Sequence, residues 1–448
     1  MLMLCCTWQL AWGQNFKLMR YDEDYSHLRD SARTFYNVLR YMPLSSSGKE
    51  FASFGGEARL ELDLAQNEDW GARGIGRNVF LLQRYDLHVN IHLGSRIRFF
   101  SQLRSGLENG RKNGPRPIDE DQLNVQNFFV DIVPYKTANR TINLRIGRQE
   151  LQYGSGRLID VREGPNLRTY FDGVKIAYSS PMLKVDGLLM SDGKTRTGIL
   201  DNPGIHRANL WGIYSTFSPS QNFNMDMYYL GNRRDGSLFD EGNVSERRHT
   251  FGTRFWRNSG RIVYNFELGY QTGNFTNGKI RAWGGSSEVG YRFTGMNGVP
   301  TVKLRSDFIS GDDIKGDGKL GTFSALYPNG GYFGMNPQAG PANLLSFHPS
   351  LSWKPLNKLL VSTEVVMNWR QSEHDGIYRP DGSLSLSSSG LLEKYIGTTY
   401  IASFSFEVNR FLNFNLGLQY FDTGHFINDV VADHKDGFFA ATLIGFKF

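Results

Sequence analysis

Arg84-Tyr-Asp-Leu-His-Val-Asn-Ile-His-Leu93, then Gly94-Ser95, then Arg96-Ile-Arg-Phe-Phe-Ser-Gln-Leu-Arg104, is the stretch that decides the fold. Tyr85, Leu87, Val89, Ile91 and Leu93 alternate with Arg84, Asp86, His88, Asn90 and His92. A period of two puts the apolar set on one face of a strand and the polar set on the other. Gly94-Ser95 turns the chain, and Ile97 and Phe99 continue the apolar face against Arg96, Arg98, Gln102 and Arg104. The result is a hairpin with one oily wall and one charged wall.

The same grammar extends in both directions. Upstream, Ala58, Leu60, Leu62 and Leu64 alternate with Glu57, Arg59, Glu61 and Asp63. Downstream it recurs at about 123–133, 140–149, 170–179, 182–190, 207–218, 221–230, 248–257, 260–271, 279–293, 300–310, 342–354, 358–370, 395–408, 410–421 and 437–448, which makes eighteen segments in all. Short turns, such as 179–181, 218–221 and 354–357, take turns with long polar loops, including 310–341 and 371–394. That rhythm and an even count predict an all-β fold, a transmembrane antiparallel up-and-down β-barrel with short periplasmic turns and long extracellular loops.

Composition agrees. Aromatics make up 14% of the 448 residues and there are 50 glycines, yet hydrophobic residues reach only 40%. No apolar run approaches the roughly 20 residues of a spanning helix. A barrel is diluted in this way because every second residue faces water. Residues 1–13 form a short apolar run ending in small residues and read as a secretory signal peptide, 14–52 as a periplasmic leader, and 53–448 as the barrel. Both cysteines, Cys5 and Cys6, lie in the signal, so neither disulfides nor thiolate metal sites are expected in the mature chain. A lipoprotein anchor is the rival reading of those cysteines. The formal charge of +6 comes from bases interspersed with acids, with no basic run, which argues against nucleic acid.

In hydrocarbon every backbone amide must be paired, so a sheet can cross only if it closes. Tyr, Trp and Phe near strand ends, including Trp211, Phe217, Tyr229, Trp353 and Trp369, suit the two water interfaces. Eighteen strands enclose water, and function must lie in the lumen. By parity the inward set is rich in both signs, from Arg59, Lys184, Arg254, Arg281 and Arg305 to Asp86, Asp131, Asp226, Glu267 and Asp307. One reading is a wall of cross-strand ion pairs around a weakly selective channel. The other is that Arg84, Arg96, Arg98, Arg104 and Arg145, from neighbouring strands, form a positive constriction for an anion. Arg148 shares the lipid-side parity of Ile146 unless Gly147 forms a bulge that turns it inward.

Catalysis finds no footing. His88 and His92 share a face but stand about 13 Å apart at ~3.3 Å per residue, too far to chelate one metal. There is no G-x-S-x-G elbow, and Lys315 interrupts the calcium-loop-like run from Asp312 to Gly318. No catalytic residue, metal ligand or cofactor is assigned.

Gly147-Arg-Gln149, Tyr153-Gly154, Arg157-Leu158-Ile159, Arg162, Pro165-Asn166, Arg168 and Phe171-Asp-Gly-Val174 form an Arg-dense hairpin loop. Together with Phe54-Gly-Gly-Glu-Ala-Arg59, Ser310-Gly-Asp-Asp, Gly316-Asp-Gly-Lys-Leu-Gly-Thr-Phe323, Leu326-Tyr-Pro328 and Gly331-Tyr-Phe333, it resembles the alginate export family of outer-membrane porins. The resemblance spans roughly 54–448. It implies an eighteen-stranded monomeric barrel in the bacterial outer membrane, with an Arg-lined conduit for an acidic polysaccharide such as the polyuronate alginate. Arg145, Arg148, Arg157, Arg162 and Arg168 would then contact substrate carboxylates. The expected partners are outer-membrane lipid, the anionic polysaccharide or a small anionic solute, and the barrel assembly machinery, addressed by the final strand ending at Phe448. The alternatives are a general or weakly selective diffusion porin for small hydrophilic solutes, and a closed barrel serving adhesion.

Overall fold

All eighteen alternating segments become strands, each pairing antiparallel with its neighbour in sequence. The computed structural model describes residues 16–32, 34–204, 207–276 and 278–448; the expected signal peptide, 1–13, lies outside them. In chain order the strands are β1 Phe51–Gln66, β2 Arg77–Leu93, β3 Ile97–Asn109, β4 Asp121–Lys136, β5 Thr141–Gln149 and β6 Phe171–Ser179. Next come β7 Leu183–Asp192, β8 Leu210–Ser220, β9 Phe223–Phe239, β10 Gly242–Arg257, β11 Ile262–Phe275 and β12 Gly278–Arg292. The last six are β13 Thr301–Ile309, β14 Leu344–Leu356, β15 Leu359–Trp369, β16 Tyr395–Glu407, β17 Leu412–Thr423 and β18 Gly437–Lys447. β18 pairs back onto β1, from Glu57 opposite Lys447 to Gln66 opposite Phe438, and the sheet closes without an edge. No helix among the described residues is long and apolar enough to cross a membrane.

Parity sorts the side chains. Leu87 and Leu268 are 62% and 64% exposed on the outer face, whereas Arg84 and Arg104 are fully buried on the inner one. The charged inner wall is largely cross-strand ion pairs: Arg104 Nε to Asp86 at 2.7 Å, Arg254 Nη1 to Asp226 at 2.8 Å and Lys303 Nζ to Glu288 at 3.1 Å. On the outer face Tyr229, Phe251, Tyr270 and Trp283 stand opposite one another in register across β9–β12 and form part of an aromatic girdle.

Two expectations are corrected. The segments 231–247 and 272–278 read as outer loops, but they continue the ladder: β9 and β10 are separated by two residues, as are β11 and β12. The alternation is less evident there because the outward residues have risen above the apolar band and become polar. For the same reason Arg281 faces outward, opposite Thr272 and two residues above Trp283, while the inward positions beside it are Ile280 and Ala282, both fully buried.

The leader is folded against the short-turn end of the barrel. Tyr21 packs edge-on against Phe100 and Phe129 at 5.6 and 5.2 Å, and Arg20 donates to the carbonyl oxygens of Gly56 and Phe448. Thr34 caps a short helix, Phe35–Arg40, that delivers Arg40 over the Tyr25 ring, fully buried.

Candidate functional site

The lumen is narrowed by two connections that fold inward, 150–170 after β5 and 310–343 after β13. The first is anchored at both ends. Tyr153 stacks on Tyr214 of β8, which stacks on Tyr228 of β9, with centroids 4.8 and 5.3 Å apart. At the far end Asn166, fully buried, donates to the carbonyl oxygens of Gln83 (2.8 Å) and Asp119 (3.0 Å). Between them Glu163 gathers three guanidinium groups: Arg84 at 2.9 Å, Arg59 at 3.8 Å and Arg168. Burial opposes ionisation of Glu163, but Arg168, Arg84 and Arg59 hold its carboxyl well below the usual carboxylate range. Arg84 also donates to the carbonyl oxygens of Pro165 and Asn166. The mix of basic and acidic residues in this loop is thus largely a lock between loop and wall.

The second connection crosses the barrel. Asp160 N–H donates to the Tyr327 carbonyl oxygen and Asn329 N–H to that of Gly156, joining the two loops. Met335 N–H donates to the Gln419 side-chain oxygen on β17, and just beyond β1 the Asp69 N–H donates to the Gln338 side-chain oxygen. Its root is roofed by 370–394, where Asp375 receives the Asp312 N–H and the Thr322 hydroxyl. On the short-turn side of the 150–170 loop a cavity of about 290 Å³ is lined by Gly154, Lys184, Thr216, Asp226, Arg254 and Trp256.

The nine arginines singled out in the sequence fall into distinct places. Arg84 and Arg168 meet at Glu163. Arg98 and Arg145 meet at Asp131, and Arg145 lies 4.4 Å over the Tyr21 ring and 3.9 Å over Phe129. Arg104 is held bidentate by Asp86. Arg157 bonds Asp307 and lies 4.3 Å over Tyr332, which ties the first loop to β13 and the second loop. Arg96 is exposed in the β2–β3 turn and donates to the Pro134 carbonyl oxygen, away from the narrowing. Arg148 keeps the outward parity: Gly147 has φ 129° without a register shift, and Arg148 stands opposite Phe128, which is 65% exposed. Asp172 on β6 neutralises it through two bonds of 2.9 and 3.0 Å, and the Tyr170 ring covers it at 4.1 Å.

Arg162 differs from the rest. Its backbone is held at φ 59°, with its N–H bonded to Asp160, so the side chain leaves the loop at an angle few arginines adopt. Its Nε is buried with no hydrogen-bond partner, and no carboxylate bonds its guanidinium among the described residues. Burial depresses its pKa, with Asp381 and Asp160 offsetting part of the effect. Lys184, on the inward parity of β7 and in the wall of the cavity below, likewise makes no ion pair among the described residues. Both place positive charge in the lumen with no acidic partner among the described residues.

Sequence reasoning missed Glu163 and Asp131 as hubs. Both lie within the segments read above, but which arginines converge on them depends on strands up to 104 positions away. It also missed the buried group of Arg305, Asp307, His348 and Glu364, in which Arg305 bonds Glu364 at 3.2 Å and His348 Nδ1 sits 3.0 Å from the same carboxylate. Among the described residues no cluster of His, Cys, Asp and Glu is placed to hold a metal ion.

Comparison with known proteins agrees with this fold. The sequence profile of the alginate export family matches residues 51–440. No curated protein sequence matches the chain. Among solved structures, the barrel is similar to a BenF-like porin from Pseudomonas fluorescens Pf-5, with TM-score 0.61, 9% identity and coverage of 89% of this chain and 98% of that one. It is similar to Pseudomonas aeruginosa OpdO with TM-score 0.57, 10% identity and coverage of 89% and 97%. Pseudomonas aeruginosa OccK2, solved in complex with glucuronate, matches with TM-score 0.58, 12% identity and coverage of 89% and 98%. At such identities these likenesses concern the fold.

Proposed function

The chain belongs to the alginate export family and is an outer-membrane channel of bacteria; from that premise we propose that it passes an acidic polysaccharide, a polyuronate of the alginate class, by passive diffusion guided by lumen cations. The observation that carries the reading is the unpaired guanidinium of Arg162 in the inward-folded loop, with Lys184 below it on the short-turn side. A carboxylated polymer presents one negative charge per sugar, and unspent cations at successive levels offer it successive weak contacts, strong enough to admit and weak enough to release. The paired arginines contribute by keeping the loops that carry Arg162 in place. A uronate bound in the similarly folded OccK2 is in keeping with such a solute. A channel of this kind needs no reacting group, and none is assigned to it.

Reversal potentials in planar bilayers under a KCl gradient test this. The parent protein should favour chloride, and Arg162→Gln with Lys184→Gln should lower the anion-to-cation ratio about fivefold, as expected for ~1 kcal/mol of screened attraction at 5 to 6 Å. An oligouronate should interrupt current in the parent and not in the double variant. Cation preference in the parent would overturn the reading. High conductance with no block would favour the weakly selective porin, for which the extensive ion pairing of the wall speaks.

A further inference from the structure

Because β9–β12 continue above the girdle, they carry basic residues into a layer the channel itself does not use. The register defines three successive levels on their outer face. The first is the aromatic row of Tyr229, Phe251, Tyr270 and Trp283. Two residues higher are His249, Thr272 and Arg281, and two higher again are Arg233, Arg247, Asn274 and Lys279. A short strand, Lys319–Leu320, extends the top level by pairing Lys319 beside Lys279. Parity fixes the direction: Glu246, Arg248, Ile280 and Leu320, the neighbours in sequence, are all buried on the inner side.

Like charges are therefore placed opposite one another twice, Arg233 against Arg247 and Lys279 against Lys319. Such pairings are destabilising without a counter-charge. The protein supplies little of it. Arg233 reaches Asp235 at 3.5 Å and Lys319 reaches Asp317 at 3.0 Å, both on the exposed tips. Lys279 bonds only the neutral Asn274, at 2.6 Å. Arg247 lies 5.4 Å over the Trp211 ring, and neither it nor Arg281 has an acidic partner among the described residues. Five basic side chains thus face outward against two acidic ones.

Depth identifies the occupant. Along β12, Trp283 and the exposed Tyr291 near the short-turn end are eight residues apart. At ~3.4 Å per residue and a tilt of about 40°, they bracket roughly 20 Å of apolar wall, close to the height of an outer-membrane hydrocarbon band. Arg281, Arg247 and Lys279 then stand at the headgroup layer of the outer leaflet. We propose that this face of β9–β12 is a binding site for the phosphate groups of an outer-leaflet glycolipid, with Arg247, Lys279 and Arg281 as its principal contacts and Trp211 packed against the sugar and acyl boundary. The site lies outside the barrel and is independent of the solute in the lumen.

The test uses the full-length protein folded in neutral detergent, with a bis-phosphorylated glucosamine disaccharide glycolipid as probe and native mass spectrometry as readout. The parent should retain the glycolipid, and the same lipid stripped of phosphate should bind no better than phosphatidylcholine. Arg247→Gln, Lys279→Gln and Arg281→Gln together should weaken retention about 100-fold, as expected for three cations lost at an anionic lipid surface. Arg247→Lys with Arg281→Lys should keep most of it. Heat-modifiable gel mobility identifies folded barrels, so only folded variants are compared. Equal retention by parent and triple variant would overturn the proposal. So would equal retention of the phosphate-free lipid, full displacement by millimolar inorganic phosphate, or displacement by an oligouronate at equal charge.

Discussion

Asp131 should matter more to the barrel than the arginine that the sequence makes conspicuous beside it. The Asp131 carboxylate, 3% exposed, accepts from Arg145 Nε at 2.8 Å and Nη2 at 3.0 Å, from Arg98 Nε at 2.9 Å and from Asn143 Nδ2 at 3.1 Å. Arg145→Met removes two charge-assisted bonds and two cation–ring contacts, but leaves Asp131 bonded to Arg98 and Asn143. The methionine also refills part of the space over Tyr21 and Phe129, so a loss of about 2 to 3 kcal/mol is expected. Asp131→Ala instead strands two guanidinium groups side by side within the wall, and breaking a buried pair from the acid side costs about 3 to 5 kcal/mol. The double variant should cost little more than Asp131→Ala alone, since the partners share one interaction. Denaturant titration of the folded protein in lipid, followed by circular dichroism and gel mobility, gives the three values, and bilayer recordings on the same samples give selectivity. The reasoning fails if Arg145→Met destabilises more than Asp131→Ala, or if it shifts the reversal potential more than Arg162→Gln does.

Gly147→Ala should lower stability by more than about 1 kcal/mol, because φ is 129° and a Cβ would meet the Phe128 carbonyl oxygen and stand 2.9 Å from Phe129 Cα; an unchanged denaturation midpoint would refute this. Tyr21→Ala removes the wedge between Phe100 and Phe129 and the bond to the Glu150 carbonyl oxygen, so limited proteolysis at Arg29 and Lys49 should speed up at least tenfold with the barrel intact. The roof over the second loop should loosen with rising pH. Burial, with Asp375 beside it, pushes the Asp312 carboxyl from 3.8 up to about 7, so the neutral acid favoured in the folded loop is retained below that value and lost as pH rises through it. Hydrogen exchange over 312–322 and 372–378, corrected for intrinsic rate, should therefore show more protection at pH 5.5 than at pH 8. Asp312→Asn should flatten the difference, and protection that grows with pH would contradict the assignment.

The alternation of Tyr85 to Leu93 with Arg84 to His92, repeated eighteen times between punctuating turns, was enough to determine the barrel and its membrane band. A strand's two faces are written directly in its residues, and lipid admits no other use of them. The loop after Gln149 was legible as Arg-dense, but that it folds into the lumen was not. Nor was its function, since an arginine reads the same whether it meets a solute or Glu163. Only the folded chain decided that Arg84 and Arg168 share one carboxylate, that Arg148 stays on the outer parity with Asp172, and that Arg162 is left unpaired. The pairing of charges depends on which distant strands closure brings together and how far each loop reaches into the lumen, and neither distance is encoded in any local period.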